Sequence, residues 1–201
     1  MKKKSRKGKQ NQWADSLTLK AKKENYPARS VYKLQEIQKK FKVLKKGDHV
    51  IDLGCFPGSW LIYSSQCVGT RGKVTGIDLK KIKIKLPGNV SALPGDILDI
   101  TNFKGIFDQD SDALLSDMAP ATTGRKDVDA ARSFELCETA LSCALKLLKP
   151  EGNFVCKIFQ GSELKKFEHK VKSAFKTLKI FKPESCRKAS KEIYIIGINK
   201  I

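Results

Sequence analysis

"VIDLGCFPGSW" occupies residues 50–60. An apolar run stops at a glycine and gives way, within a few residues, to a helical pattern. This is a buried β-strand that turns sharply into a helix, the shape of a nucleotide-binding turn. No Gly-Lys-Ser/Thr follows, so no lysine is placed to hold a triphosphate. Gly54 permits the tight turn. Gly58 opens the helix without a side chain, so a ligand can approach the backbone there. Amides at a helix N-terminus favour a negative group such as a carboxylate. An isolated G-x-x-x-G also describes an ordinary βα turn, so the rest of the chain has to decide.

Outward from this stretch, short apolar runs alternate with longer amphipathic ones. The runs are 49–54, 73–79, a weaker 89–93, 112–117, 153–159, 178–182 and 192–199, with helical patterns at 58–68, 128–149 and 162–177. Strands alternating with helices form βαβ units, hence a mostly parallel sheet with helices on both faces. Only "PESCRKASK" separates the last two runs. That spacing predicts a hairpin and an antiparallel final strand. Before the first strand, Val31, Leu34, Ile37, Phe41 and Leu44 recur at helical steps. Residues 25–47 are therefore read as an N-terminal helix carrying Lys33, with Ser30 as its cap and Gly47 as its stop.

In an open α/β sheet, ligands bind at the carboxyl ends of the strands. Asp78 ends the second strand, 24 residues past Gly54. A carboxylate at about that distance suits a ribose diol, because it accepts from both hydroxyls. Asp96, in "PGD", occupies the next rim position, either to accept from an adenine amino group or simply as a turn aspartate. Gly54 and Asp78 would serve a dinucleotide as well. However, the strict G-x-G-x-x-G is missing, and Trp60 stands where a pyrophosphate needs bare backbone. A smaller nucleoside with a charged tail, such as S-adenosylmethionine, fits better. The fourth strand ends in Asp117 of "SDMAP". Lys157 interrupts the apolar run "FVCKIF". A lysine there is costly unless paired or functional, and Asp117 is its natural partner. Glu192 opens the last strand. Lys33, read alone, is a surface lysine.

The 201-residue chain carries a net charge of +19 and is 40% hydrophobic, enough for one core. Residues 1–46 hold 16 Lys/Arg against Asp15, Glu24 and Glu36. Such asymmetry points to a polyanionic partner. Residues 1–24 are expected to be a basic, flexible extension of a single domain spanning 25–201. No apolar run reaches the roughly 18 residues of a membrane span, and the basic N-terminus lacks the apolar segment of a signal peptide. The six cysteines form no C-x-x-C pair, so no metal site is expected and they read as small buried hydrophobes. A cytoplasmic protein is expected.

Assembled, the stretches "RSVYKL", "DLGCFPGSW", "SDMAPATTG", "KIFQG" and "SKEIY" resemble the FtsJ/RrmJ family of RNA ribose 2′-O-methyltransferases, over residues 29–194 and in order. The resemblance implies a Rossmann-like, seven-stranded methyltransferase fold. It implies a tetrad of Lys33, Asp117, Lys157 and Glu192, with Lys157 the proton acceptor. It also implies contacts to S-adenosylmethionine from Gly58, Trp60, Asp78, Asp96 and Asp117. Two departures stand out. Cys55 and Phe56 replace smaller residues of many relatives, and Ser59 replaces a second glycine.

A lysine accepts a proton only when its pKa falls from about 10.4 toward neutrality. Burial and a second cation, here Lys33, push it down, whereas Asp117 and Glu192 push it up. The substrate must be RNA, because only RNA has the 2′-hydroxyl. The basic tail, with Arg187, Lys188 and Lys191, is expected to grip phosphates. By resemblance the target is a uridine of 23S ribosomal RNA in the large subunit. No DNA or membrane partner is expected, and the chain is expected to act as a monomer. Rival readings are a transfer RNA ribose methyltransferase, an RNA-binding ribosome-assembly factor and a nicotinamide-dependent oxidoreductase.

Overall fold

Period-two alternation sorts the strand side chains into two sets, and each set meets its own helices. In the computed structural model, residues 12–98, 107 and 110–201 are described. The elements run α1 (Gln12–Lys23), α2 (Val31–Phe41), β1 (His49–Leu53), α3 (Ser59–Val68), β2 (Lys73–Asp78), β3 (Val90–Pro94), β4 (Ser111–Ser116), α4 (Lys126–Leu147), β5 (Leu148–Phe159), α5 (Leu164–Ala174), β6 (Phe175–Phe181) and β7 (Glu192–Lys200). The strands form one sheet in the order β3-β2-β1-β4-β5-β7-β6. β1 to β5 pair in parallel, and β7 runs antiparallel to both β5 and β6. The expected fold class is therefore what the chain adopts, and the hairpin expected at its end is β6–β7.

On one face Ile51, Leu114, Phe154, Cys156 and Ile195 pack against α4 and α5 through Cys137, Leu141, Phe167 and Val171. On the other, Val50, Val74, Leu115, Val155, Tyr194 and Ile196 pack against α2 and α3 through Leu34, Ile37, Trp60 and Leu61. Lys157 and Glu192 fall, by parity, on the α2/α3 side. Glycine is needed where β1 ends. Gly54 has φ +77°, and a Cβ there would lie 2.6 Å from Met118 Cγ.

The N-terminal region differs from expectation in two ways. The helix expected over 25–47 spans only Val31–Phe41 and stops at left-handed Lys42, not at Gly47. The Gln38 side chain captures the backbone beyond it. Its amide donates to Leu44 O and its carbonyl accepts from Leu44 N–H. The segment expected to be a flexible extension is helical from Gln12. Ala21 is buried with Tyr26, Val31 and Tyr32, and Leu17 packs against them. The i, i+4 pair Leu17/Ala21 anchors this helix, a signal hidden among its charges. Residues 1–11 lie outside the described residues. Among the described residues, no helix is long and apolar enough to cross a membrane.

Candidate active site

The order β2-β1-β4 places the topological switch between β1 and β4, where an α/β sheet opens a crevice. A cleft of about 440 Å³ lies there, lined by Gly54, Phe56, Asp78, Asp96, Asp117 and Met118 among others. That volume is in the range of small-molecule sites. Four of the expected cofactor residues thus meet in one cavity. Asp78 is aimed by the turn itself, since Phe56 N–H donates to its Oδ2 at 2.9 Å and Lys80 N–H to its Oδ1 at 2.9 Å. Asp96 accepts from Leu98 N–H at 2.9 Å. The loop closing the cleft, 119–125, is tied down by Asp129, which accepts from Thr123 N–H and Thr123 Oγ1. Those bonds hold the Asp129 carboxyl below its usual range.

Gly58 and Trp60 do not line this cleft. Gly58, at φ +108°, caps α3. Trp60 is buried beside the Tyr194 ring, and its Nε1 donates to Ser30 O at 2.9 Å. The neighbouring Ser59 hydroxyl accepts from Ala28 N–H and donates to Ala28 O. Both contacts bind the segment before α2 to the helix of the turn. Ser59 therefore fastens the Lys33 helix to this turn.

The lysines and carboxylates form two ion pairs joined by a tyrosine. Lys157 Nζ lies 3.0 Å from Asp117 Oδ1 and also donates to the Asp117 carbonyl. Lys33 Nζ lies 3.0 Å from Glu192 Oε2. Tyr194 OH donates to Asp117 Oδ1 at 2.6 Å, and Lys33 Nζ sits 5.9 Å from the Tyr194 ring centroid. Lys157 is only 6% exposed. Burial alone lowers the pKa of Lys33, but the charges of Asp117 and Glu192 outweigh it and hold the pKa above the ordinary lysine value. Burial would raise Asp117, yet Lys157, Lys33 and the Tyr194 hydroxyl draw it below the ordinary carboxylate value. Tyr194 is pushed far up by burial and then by Asp117, so it stays a donor. All four expected tetrad residues are brought together.

Three residues of this region went unread in the sequence. Tyr194 shares strand parity with Glu192, which would have placed it on the same face. Asp129 offers no signal beyond its place in the first turn of α4. Asp52 offered the signal used for Lys157, a charge inside an apolar strand. It is fully buried, and neither carboxyl oxygen has a hydrogen-bond partner among the described residues. Burial, then Asp117 and Asp78, push its pKa far up. Three carboxylates therefore converge on the turn. An orphaned buried acid beside two more fits a ligand that brings positive charge and a diol, and fits a phosphate poorly.

A last strand inserted antiparallel, with an acid-lined cleft where a phosphate loop would sit, marks the Rossmann-like methyltransferase class. The chain belongs to the FtsJ-like methyltransferase family, which matches residues 26–200. It is 63% identical over 195 residues, 96% of each chain, to a protein of Desulforapulum autotrophicum named ribosomal RNA large subunit methyltransferase E. A solved structure from Plasmodium falciparum, described as a ribosomal RNA methyltransferase, superposes with a TM-score of 0.77 at 28% identity, covering 87% of this chain and 98% of its own. Aeropyrum pernix fibrillarin, solved with S-adenosyl-L-methionine, has a TM-score of 0.57 at 16% identity, covering 78% of this chain and 68% of its own. At that identity the likeness shows the fold alone.

Proposed function

We propose that the chain methylates a ribose 2′-hydroxyl of large-subunit ribosomal RNA, a uridine of 23S RNA, acting as a monomer with Lys157 as proton acceptor. The observation that supports this most is the buried Lys157–Asp117 pair at the lip of an acid-lined cleft. The cofactor, S-adenosylmethionine, supplies an electrophilic methyl group on a sulfonium. From the wall of the cleft, Asp78 would hold the ribose diol and Asp96 the base. Asp52, buried behind the cleft, would be favoured as a carboxylate by the positive charge the cofactor brings. Trp60 acts from behind, fixing the turn to α2.

Once its own ammonium proton has passed to solvent, Lys157 would take the proton of the 2′-hydroxyl as that oxygen takes up the methyl group. Asp117, 3.0 Å away, then faces the resulting ammonium, as a carboxylate orients and stabilises a protonated base elsewhere. Tyr194 and Lys33 keep Asp117 ionised for that task. Glu192 pins Lys33 in place.

Labelled S-adenosylmethionine tests the reading, offered with large ribosomal subunits, naked ribosomal RNA and total transfer RNA, followed by nucleoside analysis. The expected result is label in a 2′-O-methylated uridine from large subunits. Label only in transfer RNA overturns the substrate. No transfer, with cofactor bound, favours an assembly factor.

Asp52 yields a separate expectation. Its raised pKa means the unfolded chain ionises more readily, so its contribution to stability falls as pH rises from about 4 through the folded value. Asp52→Asn, which stays neutral, should raise the thermal midpoint at pH 7–8 by roughly 2–4 °C per kcal/mol regained. Cofactor affinity should drop tenfold or more. Thermal melts with and without cofactor check this. A lower midpoint with unchanged cofactor affinity would contradict it.

A further inference from the structure

The loop from β2 to β3 carries a pattern that the tetrad and the cleft leave unused. Residues 80–86 read Lys-Lys-Ile-Lys-Ile-Lys-Leu. Ile82 and Leu86 pack on the core that contains Trp60 and Leu61. Ile84 Cδ1 approaches within 3.0 Å of where a Cβ on Gly58 would lie. The even-numbered apolar residues therefore seat the segment on the cofactor turn. Lys81, Lys83 and Lys85, between them, are all exposed. None takes part in an ion pair found among the described residues. The three cations therefore follow one another along a loop that bends at Ile84. Three exposed lysines, seated by Ile82 and Leu86 and outside any ion pair found among the described residues, suit a repeating anion better than bulk solvent. Lys80 differs, lining the cleft with its Nζ 5.3 Å from the centre of the Phe56 ring.

β2 lies three strands from β5, about 14 Å across the sheet. The row thus stands on the far side of the cofactor cleft from Lys157, within a few nucleotides of the reacting ribose. We propose that Lys81, Lys83 and Lys85 form a phosphate track that grips the substrate RNA beside its target nucleotide. The track opposes the Arg187, Lys188 and Lys191 side and fixes the direction in which the strand crosses the cleft. The proposal rests on the reading of this chain as an RNA methyltransferase.

The test is the full chain carrying Lys81→Gln, Lys83→Gln and Lys85→Gln together. Binding to large-subunit ribosomal RNA is titrated against salt, alongside cofactor affinity and kcat at saturating large subunits. The triple variant should bind RNA at least tenfold more weakly at physiological salt. Its log–log salt slope should be shallower by about 2, at roughly 0.7 per lost phosphate contact. Cofactor affinity and saturated kcat should not change, and three arginines at these positions should restore binding. Unchanged affinity and slope would mean the lysines are only solvated. Loss of cofactor affinity would mean the loop serves the cleft. Either result overturns the track. If the wild-type chain methylates no RNA, the functional reading fails, and the RNA-binding comparison still decides the track by itself.

Discussion

Lys157→Ala should slow methyl transfer by about 10²–10⁴-fold, the usual contribution of a positioned proton acceptor, while leaving cofactor affinity within a few-fold of wild type. Lys157 does not line the cleft. Asp117, which does, keeps Tyr194 as a donor and Lys33 as a nearby charge when Lys157 is gone. Lys157→Arg separates acceptance of a proton from mere positioning. Arginine retains a cation for Asp117 but does not give up its proton at any working pH. It should therefore fold normally and fail to turn over. Single-turnover transfer to large subunits and calorimetric binding of S-adenosylmethionine make the comparison. Near wild-type turnover by either variant removes Lys157 from the mechanism.

Asp117→Ala should be the most damaging single change to stability. It leaves Lys157 buried without its carboxylate and removes the acceptor of the Tyr194 hydroxyl. Breaking one side of a buried pair costs about 3–5 kcal/mol. Urea unfolding should show that loss as a lower midpoint with an unchanged slope. The pH dependence adds a check. Asp117 has a lowered pKa when folded, so its contribution is present above about pH 3.9 and is lost as pH falls through the folded value. The variant should show a smaller decline over that acid range than wild type. Asp117→Leu combined with Lys157→Met replaces the pair by apolar groups of similar size. It should recover much of the stability and none of the activity. A single variant as stable as wild type would mean Lys157 has another partner.

The sheet was legible because its strands announce themselves by apolar runs and its turns by glycine. Five motifs then located the tetrad. What sequence hid was side-chain capture by distant or local partners. Gln38 ends α2 through hydrogen bonds that no propensity encodes. Leu17 and Ala21 dock α1 although Lys20, Lys22 and Lys23 crowd its last turn. Trp60, expected at the cofactor, is spent on Ser30 and Tyr194. Asp52 was readable by the rule that exposed Lys157, since both are charges in buried strands. It escaped notice because it sits inside the motif that drew the eye to glycine.

β7 is last in the chain yet interior in the sheet, held between β5 and β6. It delivers both Glu192 and Tyr194, while the residue they steady, Lys33, emerges near the start. The β1–β5 crevice is thus encoded entirely ahead of β7, whereas the cluster around Lys33 draws on both ends of the fold. The Lys33–Glu192 and Tyr194–Asp117 contacts therefore form only once β7 has entered between its two neighbours.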